Sequence, residues 1–198
     1  MIHRNTFRVV LCALGVIVSG RLLGAEYYVA AAGDDTASGT SPGTAWRSVD
    51  RVNAASFKPG DCIAFKGGQR FRGNLRLGPG SAGQTNAPVV ITSFGSGRAI
   101  LLAGHNTAIT LESVGFVTIS NLAVLGDGPT NNTGYGILCD NRLDEFRRLE
   151  NLHIENVEAS GFGVFGILIS GKQAGYAHVR VLGCDLHDNL RGGMEIAG

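Results

Sequence analysis

The sequence predicts an all-β fold, a parallel β-helix, and three observations lead to that prediction. Short segments with alternating apolar and polar residues recur in the second half of the chain at steps of 27 to 35 residues. Glycine makes up 30 of 198 residues, about twice its average share of roughly 7%. No apolar pattern with the 3.6-residue period of a helix separates the repeats. Short strands joined by tight turns account for all three.

Two series of similar segments define the repeat. A unit of about 27 residues with two strands is too short for a βαβ unit, whereas coils stacked strand over strand accommodate it. The first series is VTISNLAVLG from Val117, LHIENVEASG from Leu152 and VRVLGCDLHD from Val179, and the second is GILCD from Gly136, GILIS from Gly166 and GMEIA from Gly193.

Equivalent positions of these segments predict columns along the solenoid axis. Cys139 and Cys184 fall on apolar columns, so we expect them to be small core residues. Asn121 and Asn156 share one turn position, where stacked amides can hydrogen-bond along the axis. The predicted inward columns are Ile119, Ile154 and Val181; Ile137, Ile167 and Met194; and Cys139, Ile169 and Ile196.

The N-terminus has the layout of a secretory signal peptide at residues 1–25. A basic start is followed by a short apolar run and by small residues at Gly24 and Ala25. The run is short for a membrane span, so we expect a secreted or periplasmic protein without a stable membrane anchor. A retained N-terminal anchor is the alternative.

The mature chain from residue 26 carries 14 basic and 16 acidic residues, a formal net charge of −2. No basic stripe remains, so nucleic acid is not an expected partner. Its three cysteines form neither an even disulfide set nor a metal-ligand pattern.

Residues 26–75 carry the most specific motifs, namely YYVAAAGDD, the Pro59-Gly60-Asp61 turn and FKGGQRFRG. With the repeats, they resemble secreted right-handed parallel β-helix proteins of the pectate-lyase-like superfamily. The resemblance implies that 26–75 is an N-terminal module whose short helix covers the end of the coils formed by 76–198. Trp46, Val49 and Val52 can share one face of that helix after a Ser41 or Thr44 cap.

The resemblance also implies a function on extracellular polysaccharide, as a polysaccharide lyase or a glycoside hydrolase. Ca²⁺ is an expected cofactor only for a lyase. A noncatalytic β-helix for carbohydrate binding or surface attachment, or an inactive fragment of an enzyme, is the alternative, because a fold does not determine chemistry.

Four residues are candidates for catalysis because the columns bring them to the outer surface of neighbouring coils. His153 aligns with Arg180, and Glu155 and His187 follow nearby. A lyase needs a base and a group that neutralises the substrate carboxylate, which His and Arg can supply. The alternative is a solvated strand face with ordinary ion pairs. No dense acidic cluster predicts a metal site.

Two long excursions from the repeat, GDGPTNNTGY and NRLDEFRRLE, predict the substrate-binding region. Tyr135 can stack on a sugar ring, and Arg142, Arg147 and Arg148 can meet an acidic polysaccharide. The alternative is a surface loop with an i,i+4 charge pair between Asp144 and Arg148.

The segment from Gly193 to Ala197 matches the start of a half-coil, and no terminal cap follows it. We therefore expect a β-helix truncated at its C-terminus, with further coils beyond residue 198.

Overall fold

A computed structural model describes residues 24–144 and 146–197. In this part of the chain one helix, Val49–Asn53 (α1), and two short 3-10 turns, Pro42–Thr44 and Pro79–Ser81, accompany sixteen strands. The strands are Glu26–Val29 (β1), Cys62–Lys66 (β2), Arg70–Arg72 (β3), Leu75–Leu77 (β4), Val89–Phe94 (β5), Ala99–Gly104 (β6), Ile109–Glu112 (β7), Val117–Ser120 (β8), Leu122–Gly126 (β9), Ile137–Asn141 (β10), Leu149–Glu155 (β11), Glu158–Ser160 (β12), Phe165–Gly171 (β13), Tyr176–Leu182 (β14), Asp185–His187 (β15) and Gly192–Ala197 (β16).

The strands form three parallel sheets that enclose one core. Sheet A has the order β1-β2-β5-β8-β11-β14, sheet B is β3-β6-β9-β12-β15, and sheet C is β4-β7-β10-β13-β16. The chain visits A, B and C in turn and then returns to A one coil further on. The predicted parallel β-helix is therefore confirmed.

Each coil has three strands, so the prediction of two strands per repeat was wrong. The segments of the first series each bend at an asparagine or glycine with left-handed backbone, with φ of 53° at Asn121, 54° at Asn156 and 62° at Gly183. In each coil the strand of sheet A ends before this corner, and the strand of sheet B begins after it. The apolar alternation continues across the corner, and for this reason two strands look like one in the sequence.

The predicted columns match the observed strand registers. Ile154 pairs with Ile119 and Val181, and Cys139 pairs with Ile169. The amide of Asn156 donates to the side-chain oxygen of Asn121 at 2.6 Å, as the stacked-amide prediction requires. The cysteine prediction holds for Cys139, which is fully buried, whereas Cys184 is only half-buried against the core.

The N-terminal module contains the predicted helix, but its boundaries differ. The Ser48 hydroxyl accepts from the Arg51 amide and caps α1, whereas Ser41 precedes the first 3-10 turn. Trp46 lies before the helix, and its backbone bridges Val29 of β1. Its indole stacks on Tyr27 and donates to the Ala37 carbonyl at 3.0 Å. A buried indole N–H needs a hydrogen-bond acceptor. The loop position supplies that acceptor more readily than a helix face would.

Two predictions about the chain ends stay predictions. The signal peptide lies almost wholly outside the described residues. In β16 the side chains of Met194 and Ile196 are exposed, and whether more coils follow them is not tested. Within the described ranges, the helices are too short or too polar to cross a membrane.

Candidate functional site

Two long loops flank one strand, β10, at its opposite ends. Ten residues, 127–136, lead into β10, whereas four residues, 161–164, lead into the next strand of sheet C. Seven residues, 142–148, follow β10, whereas four residues, 172–175, follow β13. The first loop leads from sheet B into sheet C and the second leads from sheet C to sheet A, so the two loops form walls at opposite edges of the outer surface of sheet C. We call this surface the sheet C face.

The first wall is held by a buried asparagine, Asn132. Its amide nitrogen donates to the carbonyl oxygens of Gly104 (2.7 Å) and Asn106 (2.9 Å) of the preceding coil. Its side-chain oxygen accepts from the amides of Gly134 (2.7 Å) and Gly163 (3.1 Å). One side chain thus ties the loop to the coils on both sides. A loop fixed in this way keeps its conformation before a ligand arrives.

Tyr135 ends this first wall, directly before β10. Its backbone amide donates to the Thr107 hydroxyl at 3.1 Å, and its side chain is half-buried. The five residues of β10, about 16 Å of strand, separate it from the second wall. The structure therefore places Tyr135 opposite the three arginines with which the sequence grouped it.

The second wall is held by Asn141, which is fully buried. Its amide nitrogen donates to the carbonyl oxygens of Arg147 (2.8 Å), Ala174 (2.6 Å) and Gly175 (3.1 Å). Arg147 and Arg148 are exposed on this wall, next to Phe146, whose side chain is 77% exposed. The wall thus presents two cations and an aromatic ring to solvent.

The predicted pair between Asp144 and Arg148 is not formed. Asp144 instead faces Lys172 of the next coil, with 3.4 Å between its carboxylate oxygen and Lys172 Nζ. The loop is not helical, so residues four apart do not share a face. Arg148 therefore forms no ion pair with Asp144.

The floor between the walls carries two acidic side chains on neighbouring strands. Glu112 of β7 and Asp140 of β10 are in register and face outward. The Arg142 guanidinium contacts both, with Nε 2.6 Å from Asp140 Oδ2 and Nη1 3.4 Å from Glu112 Oε1. Ser170 donates to the other Asp140 oxygen at 3.1 Å. The hydrogen bond to Asp140, with the nearby Glu112 charge, raises the pKa of Arg142.

Glu112 was not among the sequence candidates. Its strand, ITLE, has the same alternation as GILCD, and the loops on both sides of it have four residues each, as around β13. Alignment of these two segments alone would have placed Glu112 beside Asp140.

Three of the four catalytic candidates come together on a different surface, the outer side of sheet A. His153 and Arg180 are neighbours in register, and Arg180 Nε lies 3.3 Å from Glu155 Oε1. Arg180 and Glu155 therefore form an ordinary, largely solvated ion pair. Short turns, not long loops, border this surface at its corner with sheet B.

His187, the fourth candidate, lies around the corner on sheet B. Its Nδ1 is 2.9 Å from Asp188 Oδ2, and its Nε2 is 3.8 Å from Glu158 Oε1. The hydrogen bond to Asp188, with the charges of Asp185 and Glu158, raises the pKa of His187. The sequence grouped His187 with the other three, whereas the corner at Asn156 places it on a different sheet from them.

Among residues 24–144 and 146–197, no three His, Cys, Asp or Glu side chains are grouped in a way that could hold a metal ion. The floor between the two walls offers two carboxylates, Glu112 and Asp140, which are already bridged by an arginine. Its chemistry is that of hydrogen-bonding and charged groups.

Comparison with known proteins places this fold among carbohydrate-active enzymes. The chain is 28% identical over 133 residues to a lacto-N-biosidase of Bifidobacterium longum subsp. longum, which covers 52% of this chain and 8% of that protein. It is structurally similar to the GH136 lacto-N-biosidase from Eubacterium ramulus (TM-score 0.67, 21% identity, 81% of this chain, 34% of that chain). A rhamnogalacturonan lyase is also similar (TM-score 0.53, 14% identity, 88% of this chain, 62% of that chain).

No protein-family model matches the chain. The chain spans only a small part of the curated relative and about a third of the lacto-N-biosidase structure. The similarities confirm the predicted β-helix fold.

Proposed function

We propose that the protein binds an extracellular polysaccharide across the sheet C face and cleaves it by glycoside hydrolysis. The observation that carries this proposal is the pair of anchored walls on either side of an acidic floor. Tyr135 supplies a ring on one wall, and Arg147 and Arg148 supply cations on the other. A rigid scaffold with long loops at one strand is a common arrangement for a binding site.

The carboxylate pair on the floor supports hydrolysis over elimination. Neighbouring parallel strands lie about 4.8 Å apart, and retaining glycosidases hold their two carboxyl groups about 5 to 5.5 Å apart. In this proposal one of Glu112 and Asp140 protonates the leaving oxygen and the other attacks the anomeric carbon, which forms a glycosyl ester as the glycosidic bond breaks. The first carboxylate then takes a proton from a water that attacks the same carbon, which releases the sugar and restores both carboxyl groups. Arg142 holds both side chains toward the same point. The similarity to lacto-N-biosidases supports the same reaction class.

A noncatalytic carbohydrate-binding β-helix is the second candidate. Arg142 contacts both carboxylates, and an acid that must donate a proton is poorly served by an adjacent fixed cation. A binding face needs no such proton donor. The two candidates therefore share the face and differ only in the role of its floor.

The first test measures binding to a panel of neutral and acidic polysaccharides by calorimetry. We expect Tyr135→Ala to weaken binding about tenfold, because stacking of one aromatic ring contributes about 1 to 1.5 kcal/mol. The double variant Arg147→Ala/Arg148→Ala is expected to weaken binding of acidic chains selectively. Lys66→Ala, an exposed cation at the end of β2 on sheet A, is the control. Equal losses in the control variant would contradict the assignment of the face.

The second test measures release of reducing sugar from each polysaccharide that binds. Glu112→Gln and Asp140→Asn should each lower the rate about 100-fold or more while binding is kept. Binding without any release supports the second candidate. Release of unsaturated products that absorb in the ultraviolet points to a lyase and contradicts hydrolysis.

A further inference from the structure

The outer surface of sheet B is apolar at its centre. The outward residues of β6 and β9 form a block of four, all apolar: Ile100 pairs with Ala123, and Leu102 with Leu125. Outward positions of a solvated sheet are ordinarily polar. The corresponding positions on the other strands of this sheet are polar or charged, so the apolar block has a polar border. We call this surface the sheet B face.

The border is charged asymmetrically along the solenoid axis. On one side of the block, β3 presents Arg70 and Arg72, both exposed. On the other side, β12 and β15 present Glu158 and Asp185. Among the described residues neither arginine of β3 takes part in an ion pair, so their charges are available to a partner. Along the solenoid axis, the sheet B face is therefore basic at one end, apolar at its centre and acidic at the other end.

We propose that the sheet B face binds a second copy of this chain in an antiparallel arrangement. A twofold axis parallel to the strands and between β6 and β9 places each apolar residue against an apolar residue. The same operation places Arg70 opposite Glu158 of the other copy and Arg72 opposite Ser160, since each strand keeps its direction while the order of coils is reversed. Such an isologous interface is self-complementary.

The alternative twofold axis, along the solenoid, does not give this match. It places β3 of one copy over β3 of the other and brings arginine onto arginine. Like charges across an interface oppose association. The charge pattern therefore selects the antiparallel arrangement.

Glu158 is positioned for this role by an arginine of its own chain. Arg98 reaches across β9 to Glu158, with 3.4 Å between Nη1 and Oε2, and also donates to the Asn156 side-chain oxygen. The intervening outward residue is the small Ala123, which is 5% exposed. Arg98 thus lies at the edge of the apolar block and fixes the Glu158 carboxylate beside it.

The face is narrow, because it is five short strands wide. An area of this size corresponds to a weak, transient association and not to an obligate dimer. We therefore expect a dissociation constant on the order of 100 μM, a binding free energy of about −5.5 kcal/mol. The sheet C face lies on another side of the solenoid and stays open in the dimer, so this inference does not depend on the proposed function.

Sedimentation velocity between about 10 and 300 μM tests the proposal, with concentrations chosen to bracket a weak dimer. The weight-average mass of the unmodified chain should rise with concentration toward that of a dimer. Arg70→Glu should weaken association at least tenfold. The triple variant Arg70→Glu/Arg98→Glu/Glu158→Arg should return to within threefold of the original constant, because it reverses the contact between copies and the Arg98–Glu158 pair within each copy together. Arg76→Glu, an exposed arginine on sheet C, should leave association unchanged.

Thermal melts of each variant establish that it is folded at the temperature of the measurement. A chain that stays monomeric over the whole range overturns the proposal. So does association that survives Arg70→Glu but is lost in Ile196→Lys, because this would assign the contact to the exposed β16. Failure of the charge-reversed triple variant to recover would also contradict the antiparallel arrangement.

Discussion

Gly163→Ala should destabilise the fold by about 3 kcal/mol or more, at the upper end of the range for overpacking. A Cβ at this position would lie 1.8 Å from the carbonyl oxygen of Asn132 in the preceding coil. The contact is with backbone and not with the end of a flexible side chain, so relief requires the two coils to separate. The free energy of unfolding from urea titration measures the effect.

The matched control for this prediction is Gly175→Ala. A Cβ at Gly175 meets no atom within 4 Å, so the same methyl group should change the free energy of unfolding by less than about 0.5 kcal/mol. A similar loss in both variants would show that the cost comes from glycine flexibility and not from the close approach of the coils.

Asn132→Ala should cost about 3 kcal/mol or more and should also weaken binding at the sheet C face. The substitution removes the side-chain partner of two carbonyl oxygens and of the two buried amides of Gly134 and Gly163. Each buried group left unsatisfied costs about 1 to 3 kcal/mol unless water reaches it. Loss of this anchor frees the wall that carries Tyr135. Urea titration gives the stability, and calorimetry with a bound polysaccharide gives the affinity.

Asn131→Ala, the adjacent residue, is the control for Asn132. Asn131 is exposed, and its side-chain amide makes one long hydrogen bond, 3.4 Å to the Asp127 carbonyl. We expect its loss to change the free energy of unfolding by less than about 0.5 kcal/mol. If Asn131→Ala and Asn132→Ala have equal effects, the anchoring role assigned to Asn132 is wrong.

The repeat in the sequence predicted the strand register, because apolar residues must fall on the inner side of every coil. A slip of one residue would expose all of them, so Ile119, Ile154 and Val181 could be aligned without a structure. The number of sheets could not be predicted in this way. Asn121, whose backbone is left-handed, turns the chain from one sheet to the next. The alternation of apolar residues continues across this turn, so the sequence alone does not reveal it.

The candidate site was likewise predicted only in part. The two long loops were visible as excess length, and the three arginines were visible within them. Glu112 was not, because its segment, ITLE, lacks the Gly-Ile-Leu start that marks GILCD and GILIS as repeats. The catalytic candidates His153, Glu155 and Arg180 were placed correctly on one surface, but it is not the surface between the long loops.

By itself, the sequence determined that this chain stacks parallel coils, which residues face the core and where the coils lengthen. These features follow from the alternation of apolar residues and from the spacing between repeats, both of which depend on residues close together in the chain. Only the tertiary structure decided which side chains share a surface. Glu112 meets Asp140, and Asn132 joins three successive coils, through contacts between residues some 26 to 31 positions apart. Such contacts depend on the corner angles and loop paths of each coil, which the repeat leaves open.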